Sequence, residues 1–378
     1  MKIAIIYDCL FPWTIGGAER WLRDLAEGLA KRGHEVSYIT LQQWDKDAPP
    51  HIPGVEVIAV GPRLDLYRDG KRRIWPPLCF GIGVFWYLLT CGHRYDRVHL
   101  CSFPYFALLA AALLWPLQRY SLSVDWFEVW TRDYWRDYLG RIGGRIGWWV
   151  QKLCAKTSQT PHCFSRVHAA RLREIRGRDD VLMLSGLYNG AEGSGLPVAA
   201  VPPTLVYAGR MIPEKRVPLF VEAMALAVRE EPALRATIFG RGPELAIVEA
   251  RIAELGLTDI VALPGFVAEE VVTAAMDGAT AIVQPSGREG YGLVIVEASA
   301  RGVPAVVIDG PDNSAVELVD ADVNGFVAAE PTPPALAEAM LAAVRGGDAL
   351  RERTREWWNA NRRRLSIESS IAAIDATL

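Results

Sequence analysis

The chain has 378 residues, 51% hydrophobic and 22% charged, which is too apolar for a disordered segment and longer than one core normally organises, so two domains are expected. The net charge of −3 divides unevenly: residues 1–185 carry 25 Lys/Arg against 18 Asp/Glu, and residues 186–378 carry 16 against 26. Two readings of the positive first half stay open, an anionic partner such as a membrane surface or phosphorylated acceptor, or ordinary arginine usage on solvated helices, and no nucleic-acid partner is expected.

In chain order, Lys2–Tyr7 is a short apolar run followed by Pro12 and the Gly16-Gly17 pair. Trp21, Leu22, Leu25, Ala26, Leu29 and Ala30 then recur at helical spacing, with Lys31 and Arg32 in the last turn and Gly33 beyond it. Val36–Thr40 resumes as a strand, completing a βαβ unit and hence a parallel sheet. Further strands are expected at Val55–Val60, Arg97–Leu100, Ser121–Val124, Thr160–Phe164 and Val181–Leu184. The run from Leu78 to Cys91 is too short for a membrane span and reads as an interfacial or core helix. Tyr188–Thr204, with three Gly and three Pro, reads as a linker. After it the alternation restarts: strand Leu205–Gly209, helix Val217–Arg229, strand Ala236–Gly240, helix Pro243–Leu255, then strands at Ile260–Leu263, Ala279–Gln284 and Pro304–Ile308. Arg351–Leu378, with Trp357 and Trp358, reads as a closing helix.

The expected architecture is therefore α/β, two Rossmann-like doubly wound domains: residues 1–187, a linker at 188–203, residues 204–355, and a C-terminal helix over 356–378 that is expected to cross back to the first domain. In open α/β sheets ligands bind beyond the carboxyl ends of the strands, so two such domains are expected to face each other across a cleft. The six cysteines, all in the first half, show no CxxC spacing, and the six histidines form no HExxH pair, so neither a zinc cluster nor any other metal is expected. Asp320-Ala321-Asp322 and Asp45-Lys46-Asp47 spell DxD but lie in turn-like contexts and read as surface loops. The N-terminal apolar run is too short for a signal segment, and a reducing, cytoplasmic setting is expected.

The chemistry concentrates at Ala281–Ala300. An apolar strand ends at Gln284-Pro285-Ser286, and Gly290-Tyr291-Gly292 opens a helix, with Glu289 in the turn and Glu297 two turns on. A helix N-terminus beside glycines offers free N–H groups and the positive end of a dipole, which suits a phosphate. Carboxylates on either side can each accept two hydrogen bonds from the hydroxyls of a sugar or a ribose. Glu297 is flanked by Val294, Ile295, Val296 and Ala298, and a carboxylate there needs a partner. Arg210 and Lys215 follow the first strand of the second domain and are suited to neutralise a departing diphosphate. Gly16 and Gly17 let backbone approach a diphosphate or an acceptor, and their spacing is not GxGxxG, which counts against a dinucleotide-dependent dehydrogenase.

Glu289 and Glu297, with Gly290-Tyr291-Gly292 between them, closely resemble the E-x7-E element of the GT4 group of retaining glycosyltransferases, which have the GT-B fold. Gly16-Gly17-Ala18-Glu19 resembles that family's N-terminal glycine loop, and Tyr207-Ala208-Gly209-Arg210 with Glu214-Lys215 its diphosphate clamp. Phe239-Gly240-Arg241-Gly242-Pro243, Leu263-Pro264-Gly265-Phe266-Val267 and Asn324-Gly325-Phe326 are similar to its later turns. The resemblance implies a metal-independent, retaining hexosyl transfer from a nucleoside diphosphate sugar, UDP- or GDP-linked, to a saccharide, lipid-linked or natural-product acceptor, with no cofactor. It implies catalytic roles for Glu289, Arg210 and Lys215, and Asp125 is the further catalytic candidate where this chain departs from the family pattern. Donor contacts are implied for Gly16, Gly17, Gly209, Gly240, Phe266, Val267, Gly290, Tyr291, Gly292, Leu293 and Glu297, with the backbone of Phe266 and Val267 against the base. In this family a His commonly follows a first-domain strand and touches the donor sugar. Here Phe127 occupies that position, with Asp125 and Glu128 the nearest polar substitutes. His99 reads as a strand-end residue at the rim. A sugar-nucleotide epimerase or hydrolase of the same fold, and a non-catalytic binding homologue, are the alternatives weighed. The aromatic and basic region from Trp126 to Lys156 either packs inside the first domain, the leading expectation, or docks on anionic lipid at the inner face of a membrane.

Overall fold

The computed structural model describes residues 1–45, 47–68, 71–73, 75–190 and 199–378. The chain forms two compact units, residues 1–187 with 367–378, and residues 188–366.

The first unit runs β1 (Lys2–Ile6), α1 (Gly17–Lys31), β2 (Glu35–Thr40), β3 (Val55–Ala59), the short β4 (Tyr67–Arg68) and β5 (Lys71–Arg72), α2 (Trp75–Cys91), β6 (Arg97–Cys101), α3 (Tyr105–Gln118), β7 (Ser121–Trp126), α4 (Arg132–Ala155), β8 (Thr160–Cys163), α5 (Arg166–Arg176) and β9 (Leu182–Met183). Seven strands pair in the order β3-β2-β1-β6-β7-β8-β9, all parallel. Such a sheet is covered on both faces, which is why Ile3, Ile5, Val98, Leu100 and Val124 are fully buried and the central strands read as unbroken apolar runs. On α1, Trp21, Leu22, Leu25 and Leu29 supply the stripe that packs on the sheet. Each such side chain contributes roughly 1.5–3 kcal/mol on burial. The helical stretch around α2 extends over Trp75–Arg94, 20 residues, long and apolar enough to cross a membrane by length and composition, and thus longer than the Leu78–Cys91 run read from the sequence. It packs against α3.

The second unit runs β10 (Thr204–Ala208), α6 (Val217–Glu230), β11 (Arg235–Phe239), α7 (Leu245–Glu254), β12 (Val261–Gly265), α8 (Glu269–Asp277), β13 (Ala281–Gln284), β14 (Arg288–Glu289), α9 (Leu293–Ser299), β15 (Ala305–Ile308), β16 (Asp312–Asn313), β17 (Gly325–Ala328) and α10 (Pro333–Leu365). Its main sheet has the order β12-β11-β10-β13-β15-β17, again all parallel, with β14 and β16 as a separate two-stranded pair. The edge strand β17 was expected only as a glycine turn. It pairs along β15 because Gly325 has no side chain: a Cβ there would lie 2.0 Å from the Ala305 carbonyl oxygen. Tyr207, Phe220 and Ile238, all fully buried, form the centre of this unit's core.

α10 is broken at Gly347 (φ 47°, ψ −141°), keeps Trp357 and Trp358 in the second unit, and ends before Ser366. Trp358 meets the Tyr188 ring edge-on at 5.1 Å, and the Trp357 indole donates to Asp320. The boundary between units therefore falls at Ser366/Ile367 rather than at 355/356. α11 (Ile367–Asp375) belongs to the first unit, where Ile371 lies over Gly28 of α1 and Asp375 pairs with His34 at 2.8 Å. Of the expected linker, residues 191–198 lie outside the described residues, as does Lys46 of the first DxD.

At the carboxyl ends of β10, β11 and β12 the backbones are stitched together. Gly209 N–H donates to Phe239 O (3.1 Å) and Gly240 N–H to Gly265 O (2.8 Å). Gly240 has φ +129°, and a Cβ there would sit 1.8 Å from the Gly209 carbonyl oxygen. Both the backbone angle and the space demand glycine. Gly240→Ala is expected to cost the second unit about 3–5 kcal/mol from strain and overpacking, read as a lowered urea midpoint. An unchanged midpoint would contradict this packing.

Candidate functional site

The loop after β10 carries Arg210, then a 3₁₀ turn over Pro213–Lys215 that ends at Arg216 in the left-handed region (φ 50°). The turn after β13 carries Ser286 and Glu289, and Gly287 N–H donates to Glu214 O at 2.8 Å, joining the two loops. Glu289 Oε1 accepts from Lys215 Nζ and from Ser286 Oγ (2.8 Å). Both charged side chains are mostly withdrawn from water, 17% exposed for Lys215 and 15% for Glu289, so their attraction is screened less than that of a surface pair. Arg210 is exposed, and its guanidinium makes no ion pair among the described residues. Beneath them lies Tyr207, whose hydroxyl donates to Arg210 O at 2.9 Å. Burial, and then the negative charge of Glu289, push its phenol well above the ordinary value, while the charge of Arg210 opposes them. Arg210, Lys215 and Glu289 are thus brought to one place.

The turn is held by Asn313, whose buried amide donates to Ser286 O (3.1 Å) and Ile308 O (2.7 Å). Gln284 adds a bond from Nε2 to Ala208 O at 3.0 Å. Sequence reasoning did not single out either residue, because both act through backbone carbonyls that no side-chain pattern marks. Gly292 (φ +102°) is the N-cap of α9 and, having no side chain, makes no cap bond of its own, so Leu293 starts the helix. Tyr291 is buried and Phe266 is 60% exposed.

Glu297 falls into a different group. Its charge acts on Tyr188 together with Arg301 and Asp277, and Arg301 donates to the Glu297 carbonyl at 2.9 Å and pairs with Asp277 at 3.0 Å. The partner that its apolar flanks called for is therefore sought on this side, whereas the charges acting on Tyr207 are those of Glu289, Arg210 and Glu244. Glu244 follows the Gly240–Pro243 turn, and burial, then the charge of Glu214, raise its carboxyl above the usual range.

In the first unit the direct sugar contact expected of Asp125 is corrected. The side chain is fully buried, and its oxygens accept from Trp21 Nε1 (2.6 Å), His99 Nε2 (2.9 Å) and His162 Nδ1 (2.9 Å). Burial alone would raise its carboxyl, but the charges and hydrogen bonds of His99 and His162 outweigh it and hold the group well below the usual carboxylate range. His162 is itself pushed down, chiefly by burial. His99 is correspondingly not a rim residue but 1% exposed. The ligand atoms of His99, Asp125 and His162 lie within 4.8 Å of one another, a spacing that could suit a metal. The indole N–H of Trp21 aims its positive end at the same carboxylate and would oppose a cation there, so the geometry describes a hydrogen-bond hub joining β6, β7 and β8 to α1. Phe127, just past β7, stacks on Phe164 with ring centres 4.2 Å apart. Gly16 stands before α1 and is covered by the buried Glu19, while a Cβ on Gly17 would meet nothing within 4 Å. Asp320 of the second DxD is taken up by Trp357, and its N–H by Asn324 Oδ1 (2.7 Å).

Residues 16–185 match the model for the glycosyl transferase 4-like domain, and residues 196–363 match that for glycosyl transferases group 1. A phosphatidyl-myo-inositol mannosyltransferase of Mycobacterium leprae is 31% identical over 371 residues, covering 93% of this chain and 90% of that protein. An exopolysaccharide phosphotransferase of Streptomyces coelicolor is 34% identical over 151 residues, 39% of this chain, and the match spans only 15% of that protein's length. Among solved structures, HepE from Anabaena in complex with UDP and glucose superposes with a TM-score of 0.72 at 19% identity, covering 100% of this chain and 99% of that one. With both domains matched in order and a relative aligned along nearly its whole length, the chain belongs to the GT4 family of glycosyltransferases and has its two Rossmann-like domains.

Proposed function

We propose that this chain transfers a hexosyl unit from a nucleoside diphosphate sugar, UDP- or GDP-linked, to a saccharide or lipid-linked acceptor. The transfer retains the anomeric configuration, needs no metal and takes place at the inner face of a membrane. The observation that carries the reading is the Lys215–Glu289–Ser286 group beside Arg210, at the carboxyl ends of β10 and β13, where α/β sheets bind ligands. Lys215 and Arg210 supply the positive charge that a divalent ion supplies in other diphosphate-leaving reactions. Gly290, Tyr291, Gly292 and Leu293 offer the start of α9 to phosphate, Gly209 and Gly240 bring the backbones after β10 and β11 together beside the nucleotide, and the backbone of Phe266 and Val267 lies against the base. Glu289 takes the sugar hydroxyls and Glu297 the ribose. Gly16 and Gly17 of the first domain approach the diphosphate or the acceptor.

As the bond from the anomeric carbon to phosphate breaks, its electron pair leaves with the diphosphate. The acceptor oxygen bonds to the same face of the sugar, and its proton passes to the departing phosphate. No protein base is required for that step, and Phe127 in the usual histidine position leaves it intact.

The names of relatives support this reading. One is a mannosyltransferase of phosphatidyl-myo-inositol, and the structural neighbour holds UDP and glucose. The test is NMR of the product from UDP-glucose or GDP-mannose with a saccharide panel, with and without EDTA. An axial product in undiminished yield with EDTA is expected. An equatorial product, loss of activity with EDTA, or rapid donor consumption without acceptor would contradict it.

A further inference from the structure

The second half of α4 carries its apolar stripe outward. After Gly140, whose φ of +73° breaks the helix, Ile142, Ile146, Trp149 and Leu153 recur at spacings of four, three and four, and they are 79%, 59%, 57% and 59% exposed. At 3.6 residues per turn they fall within about 60° of one another. Arg141, Arg145, Lys152 and Lys156 run along one flank of that stripe, and no Asp or Glu occurs from Tyr138 to Arg173. The inward face of α4 is satisfied by Trp135, Gly144, Gln151 and Cys154, so the outer stripe is not part of the core.

Two further helices extend this face. β3 to β6, β6 to β7 and β7 to β8 all step the same way along the parallel sheet, so α2, α3 and α4 lie on one side of it by the right-handed crossover rule. They pack in that order, α2 on α3 and α3 on α4. Neither α2 nor α3 contains a charged residue, and Trp86 of α2 and Leu113 and Leu117 of α3 are 61%, 70% and 67% exposed. Exposed apolar area of this extent marks an interaction surface.

We propose that this face of the first unit docks on an anionic lipid bilayer, with the apolar residues of α4, α2 and α3 entering the headgroup–acyl boundary and the basic flank of α4 meeting lipid phosphates. Uncharged helices with tryptophan beside a row of Arg and Lys that makes no ion pair among the described residues match the two halves of such an interface, apolar depth and negative surface. A protein partner or a second copy would need its own apolar patch bordered by acids. This chain does not supply one on the same face, because α4 beyond Asp137 is purely basic. The inference deepens the membrane setting proposed above and rests on it for its purpose alone, since binding to vesicles is read without donor or acceptor.

The test is co-sedimentation of the full chain with vesicles of phosphatidylcholine alone or with about one-third phosphatidylglycerol, at low and high salt. Wild type is expected to partition onto the anionic vesicles and to be released by salt. Arg141→Gln with Arg145→Gln should weaken binding about fivefold per residue. Trp149→Glu with Ile146→Glu should abolish it. Both positions are exposed, so an unchanged thermal midpoint is expected, and transfer to a water-soluble acceptor should persist. Equal binding to neutral vesicles, no binding by wild type, or full binding by the Glu variant would overturn the proposal. So would a concentration-dependent dimer in sedimentation velocity that Trp149→Glu dissolves, since that assigns the face to a second copy. Loss of transfer with vesicle binding intact would instead count against the enzymatic reading.

Discussion

Replacing Glu289 by Gln is expected to lower kcat/KM about 10²- to 10³-fold, the usual loss when one preorganised polar group is removed from a transition state. The substitution keeps volume and one acceptor oxygen, so Ser286 retains a partner, while the negative charge that holds Lys215 disappears. Lys215 would then face the diphosphate without the carboxylate that sets its position, and the sugar would lose an ionised acceptor for its hydroxyls. Stability should change little, by about 1 kcal/mol, because the pair keeps some solvent contact and Lys215 can reach water once released. A thermal midpoint within a few degrees of wild type, together with the rate loss, separates function from folding. Near-normal turnover would remove Glu289 from the proposed chemistry.

Asp125→Asn is expected to act in the opposite way, on stability first. Three donors, from Trp21, His99 and His162, converge on a carboxylate with no exposure. An amide offers one acceptor oxygen and turns its own NH₂ against the remaining donors. Breaking a buried charged network on one side costs about 3–5 kcal/mol, seen as a reduced urea midpoint for the first unit. The pH dependence carries a second signature. Burial lowers the folded pKa of His162 from 6.5, and the histidines lower that of Asp125 from 3.8. Both groups therefore bind protons less readily folded than unfolded. Their contributions are present above those values and lost as pH falls, first below about 6.5 and then below about 3.8. The Asn variant should lack the lower of these two limbs. Equal stability of variant and wild type across the range would contradict the hub.

Much of this architecture was legible because parallel strands buried on both faces leave unbroken apolar runs such as Lys2–Ile6 and Ala281–Gln284. The edge strand β17 was not, since it is four residues long and opens with Gly325, which signals a turn until the Ala305 carbonyl lies against it. The domain boundary was placed early because the helical pattern runs on to residue 365 and only Ser366 interrupts it. In the site, glycines forced by close backbone approach, Gly240 above all, were visible, as were the charged residues that flank them. The hub around Asp125 was invisible: His99 and His162 lie 26 and 37 residues away, and only the strand order β6-β7-β8 makes them neighbours. Of the region from Trp126 to Lys156, Trp126 and Trp135 pack inside the domain as the leading expectation had it, whereas Ile142, Ile146, Trp149 and Leu153 face outward, since periodicity reveals an apolar face but not which way it points.

The central claim is that Arg210, Lys215 and Glu289 gather around the diphosphate of a sugar nucleotide. The most direct measurement is a crystal structure of the protein with bound UDP-glucose or GDP-mannose. The account predicts diphosphate oxygens about 3 Å from Lys215 Nζ and from the Arg210 guanidinium, with a sugar hydroxyl on Glu289. A nucleotide bound elsewhere, with Lys215 still paired to Glu289 and Arg210 in solvent, would contradict it.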